Sequence, residues 1–172
     1  MLAAFAAGML ALGGINLAMD VTSETEFCLS CHEMRAFVFP DYAASAHYSN
    51  ASGVRAECAD CHLPAQTWLT RVGHKIYVSK DLYFHLTGKI DTAEKFEAHR
   101  LTMAQREWDR LKANDSLECR SCHAFESMNA DAQPRFASRQ HAAATQRGET
   151  CIDCHKGLVH ALPTDTGAPA EF

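Results

Sequence analysis

The chain opens on an unbroken apolar run. From Met1 to Met19 (MLAAFAAGMLALGGINLAM) the one polar side chain is Asn16, and the first charge is Asp20. Nineteen helical residues rise about 28 Å, close to the thickness of a bilayer hydrocarbon core. The run therefore predicts a single membrane-spanning anchor over residues 1–20. A cleaved secretory signal is the rival; it needs a basic leader and a small-x-small cleavage site. Nothing basic precedes the run, and Leu17-Ala18-Met19-Asp20 is a poor site. Further on, polar and apolar positions alternate with helical periodicity. Pro64 to about Leu86 predicts a helix with Pro64 in its first turn. His74, Asp81 and His85 then fall at i, i+7 and i+11 on one face, flanked by Lys75 and Lys80. Asp91-Thr92-Ala93-Glu94 predicts a capped start for a second helix. Its stripe of Phe96, Ala104, Trp108 and Leu111 reads as packing. Residues 163–172 read as a loose tail. The fold class expected is mainly α, with almost no sheet.

Charge narrows the partners. Sixteen Lys plus Arg against 21 Asp plus Glu leave a formal net charge of -5, which argues against nucleic acid and against a polybasic membrane anchor. With 47% hydrophobic and 22% charged residues, the chain is no disordered tail. Two counts are abnormal for 172 residues: eight Cys and ten His.

Every cysteine belongs to a pair of one spacing, and every pair is followed by histidine: Cys28-Leu-Ser-Cys31-His32, Cys58-Ala-Asp-Cys61-His62, Cys119-Arg-Ser-Cys122-His123 and Cys151-Ile-Asp-Cys154-His155. Cys-x-x-Cys-His is the attachment motif of c-type haem. Two thiols at that spacing reach both vinyl groups of one porphyrin through thioether bonds, and the adjacent imidazole faces the iron. A disulfide framework would not need the histidines, zinc ribbons would leave them unexplained, and a thioredoxin-like motif occurs once per domain. Four motifs with no cysteine left over predict a tetrahaem cytochrome c with a haem-organised, helical and loop-rich domain. Attachment of this kind takes place outside the bacterial cytoplasmic membrane, so residues from about 20 onward are expected in the periplasm. Haem faces then replace much of an ordinary core. Cys28 follows Asp20 by eight residues, which places the first haem within roughly 10–25 Å of the membrane surface. An iron there suits electron exchange with a lipid-soluble quinone; the plain alternative is a tethered carrier.

The motifs are themselves paired, 30 residues apart from Cys28 to Cys58 and 32 from Cys119 to Cys151. This predicts a duplicated dihaem unit: residues 21–92 for haems 1 and 2, and 93–162 for haems 3 and 4. Six histidines lie outside the motifs: His47, His74, His85, His99, His141 and His160. His47 lies 11 residues before Cys58 and His141 lies 10 before Cys151, so both are candidate distal ligands, one per half. His160 follows His155 by five residues, where the first half has Thr67 after His62; haem 3 can take it, and haem 1 has no counterpart. Met34 follows His32 instead, and a thioether ligand would raise that haem's potential, although methionine is also a common core filler. On the middle helix, a carboxylate near haem 1 can accept a proton from quinol while a lysine holds the quinol oxygen. A solvated helix face is the competing reading.

Phe27-Cys-Leu-Ser-Cys-His-Glu-Met34, Ser52-Gly-Val-Arg-Ala-Glu-Cys-Ala-Asp-Cys-His-Leu-Pro64, Ser79-Lys-Asp-Leu-Tyr83, Cys151-Ile-Asp-Cys-His-Lys-Gly-Leu-Val-His160 and Gly13-Gly-Ile-Asn16 together resemble the NapC/NirT family of membrane-anchored tetrahaem quinol dehydrogenases. The Ser-Gly-Val-Arg stretch is similar to the electron donors of periplasmic nitrate reductase. The resemblance implies oxidation of menaquinol or ubiquinol at haem 1 and relay of electrons to a periplasmic reductase, nitrate reductase first and a nitrite reductase complex as the alternative. It implies that Met34 ligates haem 1 while His32 need not, with Asp81 beside that haem and Lys75 in the quinol pocket. It further implies His47 on haem 4, His160 on haem 3 and, by internal symmetry, His141 on haem 2. Relatives serving other oxide reductases often add a fifth-haem domain, and this chain stops after its fourth motif. A terminal reductase of a small oxyanion, working at an open haem, is the rival activity; the surplus of candidate ligands speaks against it. Symmetry leaves room for a homo-oligomer.

Overall fold

The computed structural model describes residues 1–163; the expected tail falls outside them apart from Pro163. Helix α1 (Leu2–Val21) is apolar and none of it is buried, and it is long and apolar enough to cross a membrane. A short turn of helix, α2 (Thr25–Cys28), carries the first cysteine. Met34–Val38 then forms a π-helical turn that runs into α3 (Phe39–Ala43). Next come α4 (Cys58–His62), the long α5 (Trp68–Leu86) and α6 (Ala93–Ala113). Three more close the domain: α7 (Leu117–Arg120), α8 (Arg135–Arg147) and α9 (Cys151–Cys154). No strand occurs among the described residues, in keeping with the mainly helical expectation.

Two boundaries shift from those the pattern predicts. α5 starts at Trp68, not Pro64, because the chain stays extended as far as Thr67 (φ -142, ψ 163), which is the N-cap. Thr67 then caps the helix, accepting from the Thr70 amide at 3.2 Å. α6 is capped by Thr92, which accepts from Lys95 N at 3.3 Å. Phe96 and Leu111 of its stripe are buried, as expected, while Trp108 is half-buried. α8 was not foreseen, though Pro134 marks its start and Gly148, in the left-handed region at φ 66, its end.

The apolar core is thin: Leu29, Tyr42, Leu63, Ile90, Phe96, Leu111 and Ile152 are the buried hydrophobic residues among those described. Polar clasps do much of the joining. Arg100 reaches Asp41 Oδ2, Ala161 O and Phe37 O, each at 3.3 Å, and Asp41 also accepts from the Ala161 amide at 2.9 Å. That clasp brings the last described turn of chain back onto α3. Tyr42 donates to Ala56 O at 2.7 Å, and Ala56 N donates to His47 O at 3.0 Å, so the loop carrying His47 is pinned to the strand-like approach to α4.

Candidate haem centres

Each cysteine pair sits on a single helical turn or its flank, which points the i and i+3 thiols to one side. Motifs two and four share a local device that explains their shape. Glu57 and Asp60 form a reciprocal capping box at the start of α4, and Thr150 and Asp153 do the same at α9. No disulfide joins any two of the eight cysteines.

The four motifs adjoin one another in chain order. Thr25, beside the first motif, donates to Glu57 Oε2 at 2.5 Å and accepts from Cys58 N at 3.2 Å, linking motifs one and two. Arg110 on α6 links two and three. It donates to Cys61 O at 2.6 Å and to the buried Glu118 at 2.9 Å, while Ala65 N donates to the same carboxylate at 3.3 Å. Motifs three and four meet where Ile152 N donates to the buried Ser116 hydroxyl at 3.2 Å. Ser116 adopts φ 51, a left-handed conformation that costs a serine of order 1 kcal/mol or more and turns α6 sharply into α7.

Histidine placement follows a second regularity. The ring of His62 lies 6.2 Å from that of His160, His123 lies 6.2 Å from His47, and His155 lies 5.9 Å from His141. Two imidazoles on opposite sides of one iron have ring centres about 6 Å apart, so all three pairs fit a haem iron between them. His47 and His160 also hold buried Nδ1 atoms with no hydrogen-bond partner among the described residues. Burial lowers the His160 pKa to about 4, which keeps it neutral and able to donate its lone pair to a metal. His141 is oriented differently, by Gln133 Oε1 at 2.7 Å from its Nδ1.

With that geometry in place, comparison with known proteins is decisive. The model of the NapC/NirT cytochrome c family, N-terminal region, matches residues 1–165. The chain belongs to this family. It is 51% identical over 163 residues to the cytochrome c-type protein NapC of Escherichia coli K12, covering 95% of this chain and 81% of that protein. It is 50% identical over 157 residues to the denitrification system component NirT of Stutzerimonas stutzeri, covering 91% and 78% respectively. The NapC protein of Paracoccus pantotrophus is 47% identical over 167 residues, 96% of this chain and 70% of the relative. No solved structure matches the chain. Binding of c-type haem thus follows from motif, geometry and NapC/NirT membership together.

The ring pairs differ from the assignment that resemblance and symmetry imply. His47 meets the third motif rather than the fourth, His160 the second rather than the third, and His141 the fourth rather than the second. The reason is topological: the Arg100 clasp folds the segment after α9 back toward the first half, and α8 lays His141 along its own motif. Symmetry in sequence spacing does not carry over into space.

The first motif is arranged differently. His32 Nε2 donates to Asp91 O at 2.9 Å, and its Nδ1 lies 3.3 Å from Glu33 Oε2. His85, whose ring is 5.8 Å from that of His32, bonds Glu33 Oε1 through Nδ1 at 2.7 Å. Glu33 is 1% exposed. Burial pushes its carboxyl up, but the His85 hydrogen bond and its own backbone outweigh this and hold it below the ordinary glutamate value. Glu33, His32 and His85 form the one cluster of three potential metal-binding side chains found among the described residues. In the sequence, Glu33 carries no signal beyond a carboxylate inside Cys-His-Glu-Met. Met34 opens the π-helical turn, a distortion frequent at functional sites.

α5 separates the two residues expected to share a quinol pocket. Lys75 Nζ donates to Thr22 Oγ1 at 2.5 Å and to Met19 O at 3.2 Å, at the end of α1, and burial lowers its pKa. Asp81 faces the haem domain and takes a two-pronged contact from Arg106 at 3.2 and 3.0 Å. His74 and His85 share that inward side, so the predicted common face exists, and it is packed rather than fully solvated.

Proposed function

We propose that the protein is a membrane-anchored tetrahaem quinol dehydrogenase that oxidises menaquinol or ubiquinol and passes electrons to a periplasmic reductase, nitrate reductase foremost. The observation that carries this is the ordered adjacency of the four motifs, beginning with the one nearest the apolar anchor. Haem iron, when bound, supplies the one-electron chemistry that links a two-electron donor to a distant acceptor. Cys28 and Cys31, Cys58 and Cys61, Cys119 and Cys122, and Cys151 and Cys154 would hold the four porphyrins. His62 with His160, His123 with His47, and His155 with His141 would hold three irons. Met34, which opens the π-helical turn directly after the first motif, would hold the first, as the family resemblance implies. The haem domain then lies in the periplasm and the N-terminus inside. The segments 21–92 and 93–162 are two dihaem halves that exchange histidines.

Quinol oxidation releases two protons along with two electrons. Lys75, at the boundary between α1 and the haem domain, positions the quinol by donating to its oxygen. Asp81 receives a proton on the inward face, one helical turn from His85, whose Nδ1 bonds the buried Glu33. The partner assignment rests on the names of the relatives, NapC and NirT, and on the chain's likeness to them.

The test is reduction of the detergent-solubilised, haem-loaded protein by a menaquinol analogue, followed in the haem absorption bands. Rapid reduction of all the haem that dithionite can reduce is expected. No reduction by quinol, with dithionite reduction intact, refutes the dehydrogenase reading.

A further inference from the structure

Helix α5 carries an apolar face that no other described residue covers. Leu69 is 73% exposed, Ile76 70% and Tyr83 63%. They recur at i, i+7 and i+14, one line along the helix. The opposite side, with His74, Asp81 and His85, packs on the haem domain.

Between these two sides runs a third line that is bonded to α1. Trp68 Nε1 donates to Asn16 Oδ1 at 3.0 Å, and Lys75, seven residues later, donates to Met19 O and Thr22 Oγ1. The levels matter. Asn16 lies five residues inside the end of α1 at Val21, roughly 8 Å along the helix axis. The start of α5 is therefore drawn below the end of the membrane helix, to the depth of about 5–10 Å at which interfacial amphipathic helices sit. A cation, Lys80, borders the apolar line on the side away from α1. Asp81 is the helix's one acid and is turned inward to Arg106. Lys80 also lies 3.7 Å from the Tyr77 ring centre.

We propose that α5 is a second membrane element: an interfacial helix whose Leu69, Ile76 and Tyr83 line is immersed in the acyl–headgroup boundary beside α1, with Lys80 at the phosphates. Its occupant is the lipid surface, because the face is continuous with the spanning helix through three hydrogen bonds and is bordered by Lys80, a cation that anionic headgroups attract. The immersion is independent of what the haems react with.

The haem-loaded full chain, reconstituted in phosphatidylcholine/phosphatidylglycerol vesicles, is photolysed with a membrane-partitioned diazirine and its peptides mapped. Label on residues 69–83 within about twofold of that on α1 is expected. Label confined to α1 overturns the proposal. Label that reaches α5 only when the protein is diluted in lipid shows that a second copy covers the face, and overturns it too. A double variant, Leu69→Glu with Ile76→Glu, is expected to lower α5 label about fivefold with α1 label unchanged. If that variant fails to mature, the unmodified chain's map decides alone.

Discussion

Replacing Glu118 should loosen the junction between the second and third motifs by an amount that follows from its surroundings. Its side chain is 1% exposed and accepts from Arg110 Nη1 at 2.9 Å, from Asn114 Nδ2 at 2.8 Å and from Ala65 N at 3.3 Å. Arg110, 17% exposed, keeps a second carboxylate in Glu107 at 2.5 Å. Glu118→Gln retains the shape and one acceptor but removes the charge. It should cost about 2–3 kcal/mol, the worth of one or two hydrogen bonds to charged groups. Glu118→Ala also leaves donors unpaired and should cost about 3–5 kcal/mol, lowering the midpoint of thermal unfolding by roughly 10–15 °C for a domain of this size. Far-UV circular dichroism of the haem-loaded protein reads both. A fall below about 3 °C for Glu118→Ala would refute the clasp. The pH dependence gives a second reading. Burial pushes the Glu118 carboxyl up, yet hydrogen bonds from Asn114 and the backbone, with Arg110, bring it below its ordinary 4.5. A depressed folded value means the stabilisation is present above pH 4.5 and is lost as pH falls through the lower, folded value. The gap between the original chain and Glu118→Gln should therefore close in acid.

Three other outcomes are expected. Lys75→Ala should slow reduction by quinol about tenfold or more with the haem spectrum unchanged; an unchanged rate would remove Lys75 from the quinol pocket. The variant His160→Ala combined with His62→Ala should disturb a single haem, whereas His160→Ala combined with His123→Ala should disturb two, as counted from high-spin signals in electron paramagnetic resonance. The reverse count would restore the assignment drawn from sequence symmetry. Gly88→Ala should destabilise by about 1–2 kcal/mol in thermal unfolding, because Gly88 sits at φ 65 and a Cβ there would lie 2.9 Å from Asp91 Oδ2.

What the sequence made legible was local chemistry. Four identical attachment motifs, an uncharged apolar run and two long amphipathic periods are each written within a few residues of themselves, and α1, α5 and α6 appear where those patterns lie. The register of histidines was not legible in the same way. His47, His141 and His160 stood out as spare ligands, but their destinations depend on Arg100 and Asp41 drawing distant segments together, and no spacing rule encodes that. Glu33 escaped notice because its burial arises from His85, some fifty positions away. Lys75 and Asp81 looked like neighbours on a helix, yet a rotation of about 120° between their positions sends one to the anchor and the other to Arg106.

The meeting of His62 with His160 has a bearing on how the protein is made. His62 belongs to the second motif and His160 lies five residues beyond the fourth; on the proposed ligand assignment the second centre acquires its far imidazole only after almost all of the haem-bearing stretch has been exported. A premature stop after the fourth motif would spare every thioether bond and still leave the second centre, not the last, incompletely held. On that assignment, ligation of the second centre and final compaction would be tied to the same late segment, a closing latch on an earlier part of the chain.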